Sequence, residues 1–296
     1  MASNTDSPLT IPLLPEQDGA GYHTRNGPGE LQRPTIIDDL CAGLLLQVEL
    51  QGAVHGTLSR GGDPATLLVV KFYFQGRTEK RRFRSAEIKI RFADEQQPLQ
   101  EDPEVLALWP EGDFTFNESQ VDLSDSKSGG ANLSGGAGAF QMGLNGTWTR
   151  TQGRQLKERA SINGARRIEG RDWGARNVVR LILDENRGQE GGIVSTLSTA
   201  ILVKRKYATQ RFIAQIEVTA QADMKYATAS KIRELSGKTP LNDPVVFDPK
   251  CEPTIAAVED ASNLAAESLE SLASIISTTV LSTIRGVADG QKETAA

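Results

Sequence analysis

The sequence predicts a mainly-β protein: an antiparallel β-sandwich with a disordered N-terminal arm and a C-terminal amphipathic helix. Three observations carry that prediction. Apolar and polar residues alternate with period two through much of residues 36–250. The alternating stretches are short and separated by polar, glycine-containing loops with no long helices between them, which favours antiparallel pairing over βαβ units. After Met224 the period changes, and a helical stripe follows.

Taken in order, residues 1–35 carry Pro8, Pro12, Pro15, Pro28 and Pro34 among Gly, Ser, Asn and Asp, which block ladders and helices alike. The sandwich domain, 36–250, shows its period from about Leu44. "LLVVKFYF" (Leu67–Phe74) reads as a strand buried on both faces or nearly so. "SAEIKIRF" puts Ile88, Ile90 and Phe92 on one face and Lys89 and Arg91 on the other. "VLALWPEG" is a short strand stopped by Pro110 and Gly112. Residues 177–186, 198–206 and 211–222 read as strands too, the last with Phe212, Ala214, Ile216 and Val218 inward. "KYATASKIRELSGKTP" is a short helix closed by Gly237 with Pro240 beyond it, and "LNDPVVFDPK" is extended. In the tail, 251–296, Ala265, Leu269, Leu272 and Ile276 form one helical stripe. That stripe either docks on the sandwich or serves a protein partner or self-association.

The chain has 296 residues, 38% hydrophobic and 24% charged, with a net charge of −5 and a pI near 5.3. A duplex-DNA binder would be basic, so nucleic acid is not an expected partner. Cys41 and Cys251 lie far apart without a CxxC partner, which fits a reducing compartment. The N-terminal residues lack a basic region and an apolar core, so no signal peptide is expected. No apolar run approaches the ~18 residues of a membrane-spanning helix. The expected location is cytoplasmic.

No cofactor, metal site or catalytic residue is expected. "SGKT" (Ser236–Thr239) has Ile232 where a P-loop needs glycine, and Pro240 where its helix would begin. Gly136 and Gly138 start a dinucleotide fingerprint that ends on Gln141. His55 in "GAVHGTL" is the one histidine of the predicted domain, and no Ser or Cys stands in a nucleophile-elbow context. Asp243 and Asp248 flank "PVVF" beside prolines, as turn residues do.

"RRIEGRDWGARN" (Arg166–Asn177) is the densest stretch. Arg166, Arg167, Glu169, Arg171, Asp172 and Trp173 gather around Gly170 and Gly174, a tight loop presenting charges and an aromatic ring. As a ligand platform, Trp173 would stack and Arg171 pair with an anion. As structure, the preferred reading from these residues alone, Trp173 plugs the sandwich end and Asp172 bonds backbone amides.

Charge is also segregated. Residues 94–126 hold ten carboxylates and no Lys or Arg, whereas 150–180 hold nine cations against three acids. Acidic and basic surfaces could face each other across the sandwich or between subunits. Alternatively Arg150, Arg154, Lys157 and Arg159 form a patch for an anionic partner such as lipid headgroups or RNA. A second cluster, "RTEKRRFR", lies at Arg77–Arg84. The patch follows "SGGANLSGGAGAFQMGLNGTW" (128–148), in which Phe140, Met142 and Leu144 alternate with Gln141, Gly143 and Asn145. A linker would not need Phe, Met and Trp, so this reads as a flexible, partly β hairpin.

At "SAEIKIRF", "RRIEGRDWGARN" and "GKTPLNDPVVFDP" the chain resembles a group of uncharacterised intracellular proteins of filamentous fungi, over roughly residues 44–250. The resemblance implies lineage and a cytoplasmic setting, with no activity to carry over. The leading functional expectation is a non-enzymatic β-sandwich that binds a partner. Its alternatives are a membrane-acting or pore-forming protein using the glycine-rich hairpin, and an enzyme built on carboxylates and arginines.

Overall fold

The structure, a computed structural model, describes residues 24–41, 43–76, 81–96, 101–125, 152–222 and 242–276; at residue 41 and over 117–125 and 152–158 it describes the backbone alone. Two antiparallel sheets pack face to face. The first contains β1 (Thr35–Cys41), β2 (Leu44–Thr57), β3 (Pro64–Gly76) and β9 (Thr196–Lys204) in that order. The far edge of β9 is shared by β5 (Glu104–Trp109) and β12 (Ser274–Ile276). The second sheet runs β11 (Val245–Phe247), β10 (Phe212–Gln221), β4 (Ser85–Asp94), β8 (Val178–Asp184), β7 (Gln152–Arg167), β6 (Gly112–Asp125). The chain passes between the sheets at β3–β4, β4–β5, β5–β6 (through the cis Trp109–Pro110 bond), β8–β9, β9–β10 and β11–β12.

Alternation builds the core as expected. In β4, Ile88, Ile90 and Phe92 are fully buried while Lys89 and Arg91 face outward. They meet Val48, Phe72, Leu197 and Ile201 of the first sheet in one apolar cluster. Each such side chain contributes about 1.5–3 kcal/mol by leaving water. β3 and β9 depart from alternation: Ala65–Val70 and Thr196–Val203 are buried at consecutive positions. Their outer residues Ala65, Leu67 and Leu202, with Val54, form a second cluster under Leu264, Leu269 and Leu272.

That cover corrects the expected C-terminal α-helix. Among the described residues, the stretch is a 3-10 helix (Ala261–Ala266), then turns, then β12. The Asp260 carboxylate caps the 3-10 helix by accepting from the Ser262 amide at 2.9 Å. Gly56 lets the backbone come close, since a Cβ there would lie 1.7 Å from the Ala261 carbonyl oxygen. Beyond Leu272, Ser274–Ile276 pair with Thr196–Ser198 and satisfy a sheet edge, which an α-helix could not do. The stripe residues Leu269 and Leu272 do dock on the sandwich; residues 277–296 lie outside the described residues.

The N-terminal arm is also corrected in part. Residues 1–23 lie outside the described residues, but 24–34 are tied down. The Thr24 amide and hydroxyl each donate to Asn242 Oδ1 at 3.0 Å, and the Asn26 amide donates to Asp243 Oδ2 at 3.0 Å. The Gln32 amide bonds the Val246 carbonyl at 2.8 Å, beside β11. Side-chain oxygens thus replace the ladder that prolines interrupt. The expected helix at 225–240, with its "SGKT", and the glycine-rich hairpin 128–148 lie outside the described residues. No described helix is long and apolar enough to cross a membrane.

Candidate functional site

The loop from β7 to β8, residues 168–177, overhangs one end of the sandwich. Its two ends are joined by Asn177, which is fully buried. Asn177 Oδ1 accepts from the Glu169 amide at 3.0 Å, and its Nδ2 donates to the Glu169 carbonyl at 3.1 Å and to Asp102 Oδ2 at 3.2 Å. Asp102 Oδ1 accepts from the Asp94 amide at 3.2 Å, and Asp94 Oδ2 from Gln210 Nε2 at 2.7 Å. Four buried polar side chains therefore pin the loop to β4, to the start of β5 and to the β9–β10 turn.

Between this loop and the end of β9 lies a cavity of about 530 Å³, a size that suits a small ligand or a few side chains of a partner. One wall is the loop itself, Gly170–Ala175; the other is Lys204, Arg205 and Lys206, and Asp102 and Glu104 also line the cavity. Trp173 stands at this cavity with 71% of its surface exposed. It does not plug the sandwich end, and the amide-bonding role expected of Asp172 belongs to Asn177. Asp172 is exposed. Arg171 holds the loop's shape by donating from Nη2 to the Ala175 carbonyl at 2.5 Å.

The opposite wall carries three consecutive cations. Lys204 is held by Asp63 at 2.6 Å, which raises its pKa above the usual lysine range. Arg205 is 3% exposed, and its guanidinium donates to the carbonyls of Gly56 and Ala65 at 3.3 and 3.2 Å and to those of Tyr207 and Ala208. Burial without a carboxylate partner among the described residues lowers its pKa to about 10. Lys206 is exposed and makes no ion pair among the described residues. Tyr207, half exposed, bonds Glu101 at 3.0 Å, which raises its phenol pKa.

The predicted residues thus divide. Arg171, Asp172 and Trp173 come together at the cavity. Arg166 turns away, pairing with Glu111 at 2.7 Å and bonding the Leu106 carbonyl. Glu169 pairs with Lys89 at 2.5 Å on the outer face of the second sheet, and Arg167 is exposed at the end of β7. In the proposed anion patch, Arg159 is exposed, Arg154 and Lys157 lie in β7 with the backbone alone described, and Arg150 lies outside the described residues. The acidic and basic blocks are neighbours within one sheet, since β6 and β7 pair from Gly112↔Gly164 to Asp125↔Gln152. In the second basic cluster, Arg82 pairs with Glu185 at 2.8 Å and Glu190 at 3.2 Å, so it is not a free patch. Sequence reading missed Asp102, Asn177 and the Lys204–Lys206 run; three cations closing the apolar strand "STAILV" were the available signal.

His55 accepts from Gln32 Nε2 at 2.8 Å and bonds Thr66 Oγ1 at 2.9 Å through its other ring nitrogen, and burial lowers its pKa to about 4. No group of three His, Cys, Asp or Glu side chains able to hold a metal occurs among the described residues. No family model matches the chain, and no curated protein matches it.

Proposed function

We propose that the protein is a non-catalytic cytoplasmic binding protein whose end cleft takes a ligand, free or borne by a protein partner, that combines a flat apolar ring with an anionic group. One observation carries this reading: a tryptophan, Trp173, exposed over 71% of its surface at the wall of a cavity whose other wall holds Lys204, Arg205 and Lys206. An indole held open on a pinned loop loses little entropy on stacking, and the cations beside it supply the charge that fixes orientation. Lys206 makes the direct ion pair, because Lys204 is committed to Asp63 and Arg205 to backbone carbonyls. Asp102, the buried acid of the cleft lining, does not favour catalysis, since both of its oxygens already accept hydrogen bonds. Cys251 is a free thiol, as a reducing compartment allows. Self-association through residues 263–276 is not carried forward, because Leu264, Leu269 and Leu272 already pack on the chain's own sheet.

Isothermal titration with naphthalene-2-sulfonate, against neutral naphthalene-2-methanol, tests the reading. Saturable binding of the sulfonate, weakened about tenfold or more by Trp173→Leu and by Lys206→Gln, supports it. Binding indifferent to both substitutions, or no binding, removes it.

A second reading, action at an anionic membrane, is favoured by one feature. β8 pairs with β7 only over Ser161–Arg167, so Ser119–Asp125 and Gln152–Glu158 continue as a two-stranded ribbon past the sheet. Arg154 and Lys157 stand in that ribbon, and its sequence leads into the glycine-rich stretch. Dye leakage from phosphatidylserine vesicles would support this reading; absence of both binding and leakage would remove it.

A further inference from the structure

The outer face of the second sheet is laid out in rows across its strands. One row aligns Glu217, Lys89 and Arg180; the next aligns Gln215, Arg91, Val178 and Arg167. In the first row every charge is matched: Lys89 meets Glu169 at 2.5 Å and Glu217 at 3.7 Å, and Arg180 meets Glu87 at 2.6 Å. The second row contains no acid. Neither Arg91 nor Arg167 makes an ion pair among the described residues, and Arg91 Nε is buried without a hydrogen-bond partner. Two guanidinium groups therefore stand on one row with their charge unmet, beside a row in which Lys89 and Arg180 are both paired.

We infer that Arg91 and Arg167 form a site for a phosphate-class oxyanion on the outer face of the second sheet, adjoining the end cleft at Gly170 but independent of the reading given for the cleft. Both side chains rise from the same face, one strand apart on either side of β8. Neighbouring strands are about 4.8 Å apart, so the two Cα atoms lie roughly 10 Å from each other, a span two arginines close on a shared anion. Gly170 brings the loop backbone against the pair. Its φ of +76° is a glycine conformation, and a Cβ there would lie 3.0 Å from Arg91 Nη2. Of the two acids of that loop, Glu169 is already held by Lys89 and Asp172 lies at the end cleft. A guanidinium is a planar fork of donors, and two forks approaching from opposite sides match a tetrahedral dianion better than the two oxygens of a carboxylate. The chemistry fits free phosphate or a small phosphate monoester equally.

The test follows the melting temperature of the full chain with inorganic phosphate and, in a separate arm, with glycerol 3-phosphate, each against sodium chloride at equal ionic strength. Stabilisation beyond that of chloride, half-saturating at roughly millimolar concentration, is expected from the first arm if the site takes the free ion and from the second alone if it requires an ester. Arg167→Gln, an exposed change, and Arg91→Gln should each raise the half-saturating concentration about tenfold. Trp173→Leu should leave the phosphate response unchanged, which separates this site from the cleft. A response equal to that of chloride in both arms would overturn the site. So would a phosphate response that survives in both arginine variants.

Discussion

The two sheets of the sandwich turn opposite outer faces to their surroundings. That of the first sheet, at Val54, Ala65, Leu67 and Leu202, is apolar and roofed by the C-terminal segment through Leu264, Leu269 and Leu272. That of the second carries Glu87, Lys89, Arg91, Arg180 and Glu217 in rows, and among the described residues it is met by the tip of the β7–β8 loop at Lys89 and by Asn242 at Gln215. The difference is written in the strands. β9 is buried at eight successive positions, whereas β4 is buried at every second one. A strand apolar on both faces requires a cover, and a strand that alternates leaves a face on which charges can be arranged. The first sheet therefore supplies stability on both sides of its plane, and the second supplies it on one side and displays charged side chains on the other.

Substitutions can break that contrast, beginning at the roof. Gly56→Val places carbons where the Ala261 carbonyl sits and should cost more than about 3 kcal/mol. Urea unfolding would measure the loss, and limited proteolysis should show new cleavage within 253–276. Leu264→Ala removes the fully buried side chain of the roof and should cost about 2–4 kcal/mol. A loss below about 1 kcal/mol would mean the roof is not part of the cooperative fold.

Acid should weaken the first sheet through His55, which bridges Gln32 and Thr66. Its folded pKa of about 4 lies below the usual 6.5, chiefly because of burial. The unfolded chain therefore takes the proton first. Stability from this group is complete above pH 6.5 and falls progressively as pH drops toward 4, by at most roughly 3 kcal/mol. His55→Gln should flatten the stability profile between those two values, as chemical denaturation at a series of pH values would show. The smallest effects belong to the second sheet's face. Lys89→Ala and Arg180→Ala break partly exposed ion pairs and should each cost less than about 1 kcal/mol. A larger loss from either would erase the contrast between the faces.

Much of this contrast was legible beforehand. Ile88, Ile90 and Phe92 announced an alternating strand, and "LLVVKFYF" announced one buried on both sides. What covered it was harder to read. Leu269 and Leu272 sit at helical spacing, and nothing local says that Ser274–Ile276 would find a vacant half-edge on β9 beside β5. β6 and β7 hid for a different reason: their polar residues lie at the sheet's end, where alternation carries little apolar signal. The cleft was legible in its loop, through Trp173 between two glycines, and illegible in its opposite wall. Lys204–Lys206 and Asp102 stand far from that loop in sequence and meet it only because β9 and β5 pair. Trp173 itself could be read either as plug or as platform until its exposure was known.

The most direct measurement is an NMR titration of the Trp173 indole N–H, identified by its loss in Trp173→Leu, with naphthalene-2-sulfonate. A saturable shift of that resonance while the indole of Trp109, packed against Phe114 at 5.8 Å, stays in place is the predicted result. A Trp173 resonance that does not move, or one that moves no more than that of Trp109, would contradict ligand binding at the end cleft.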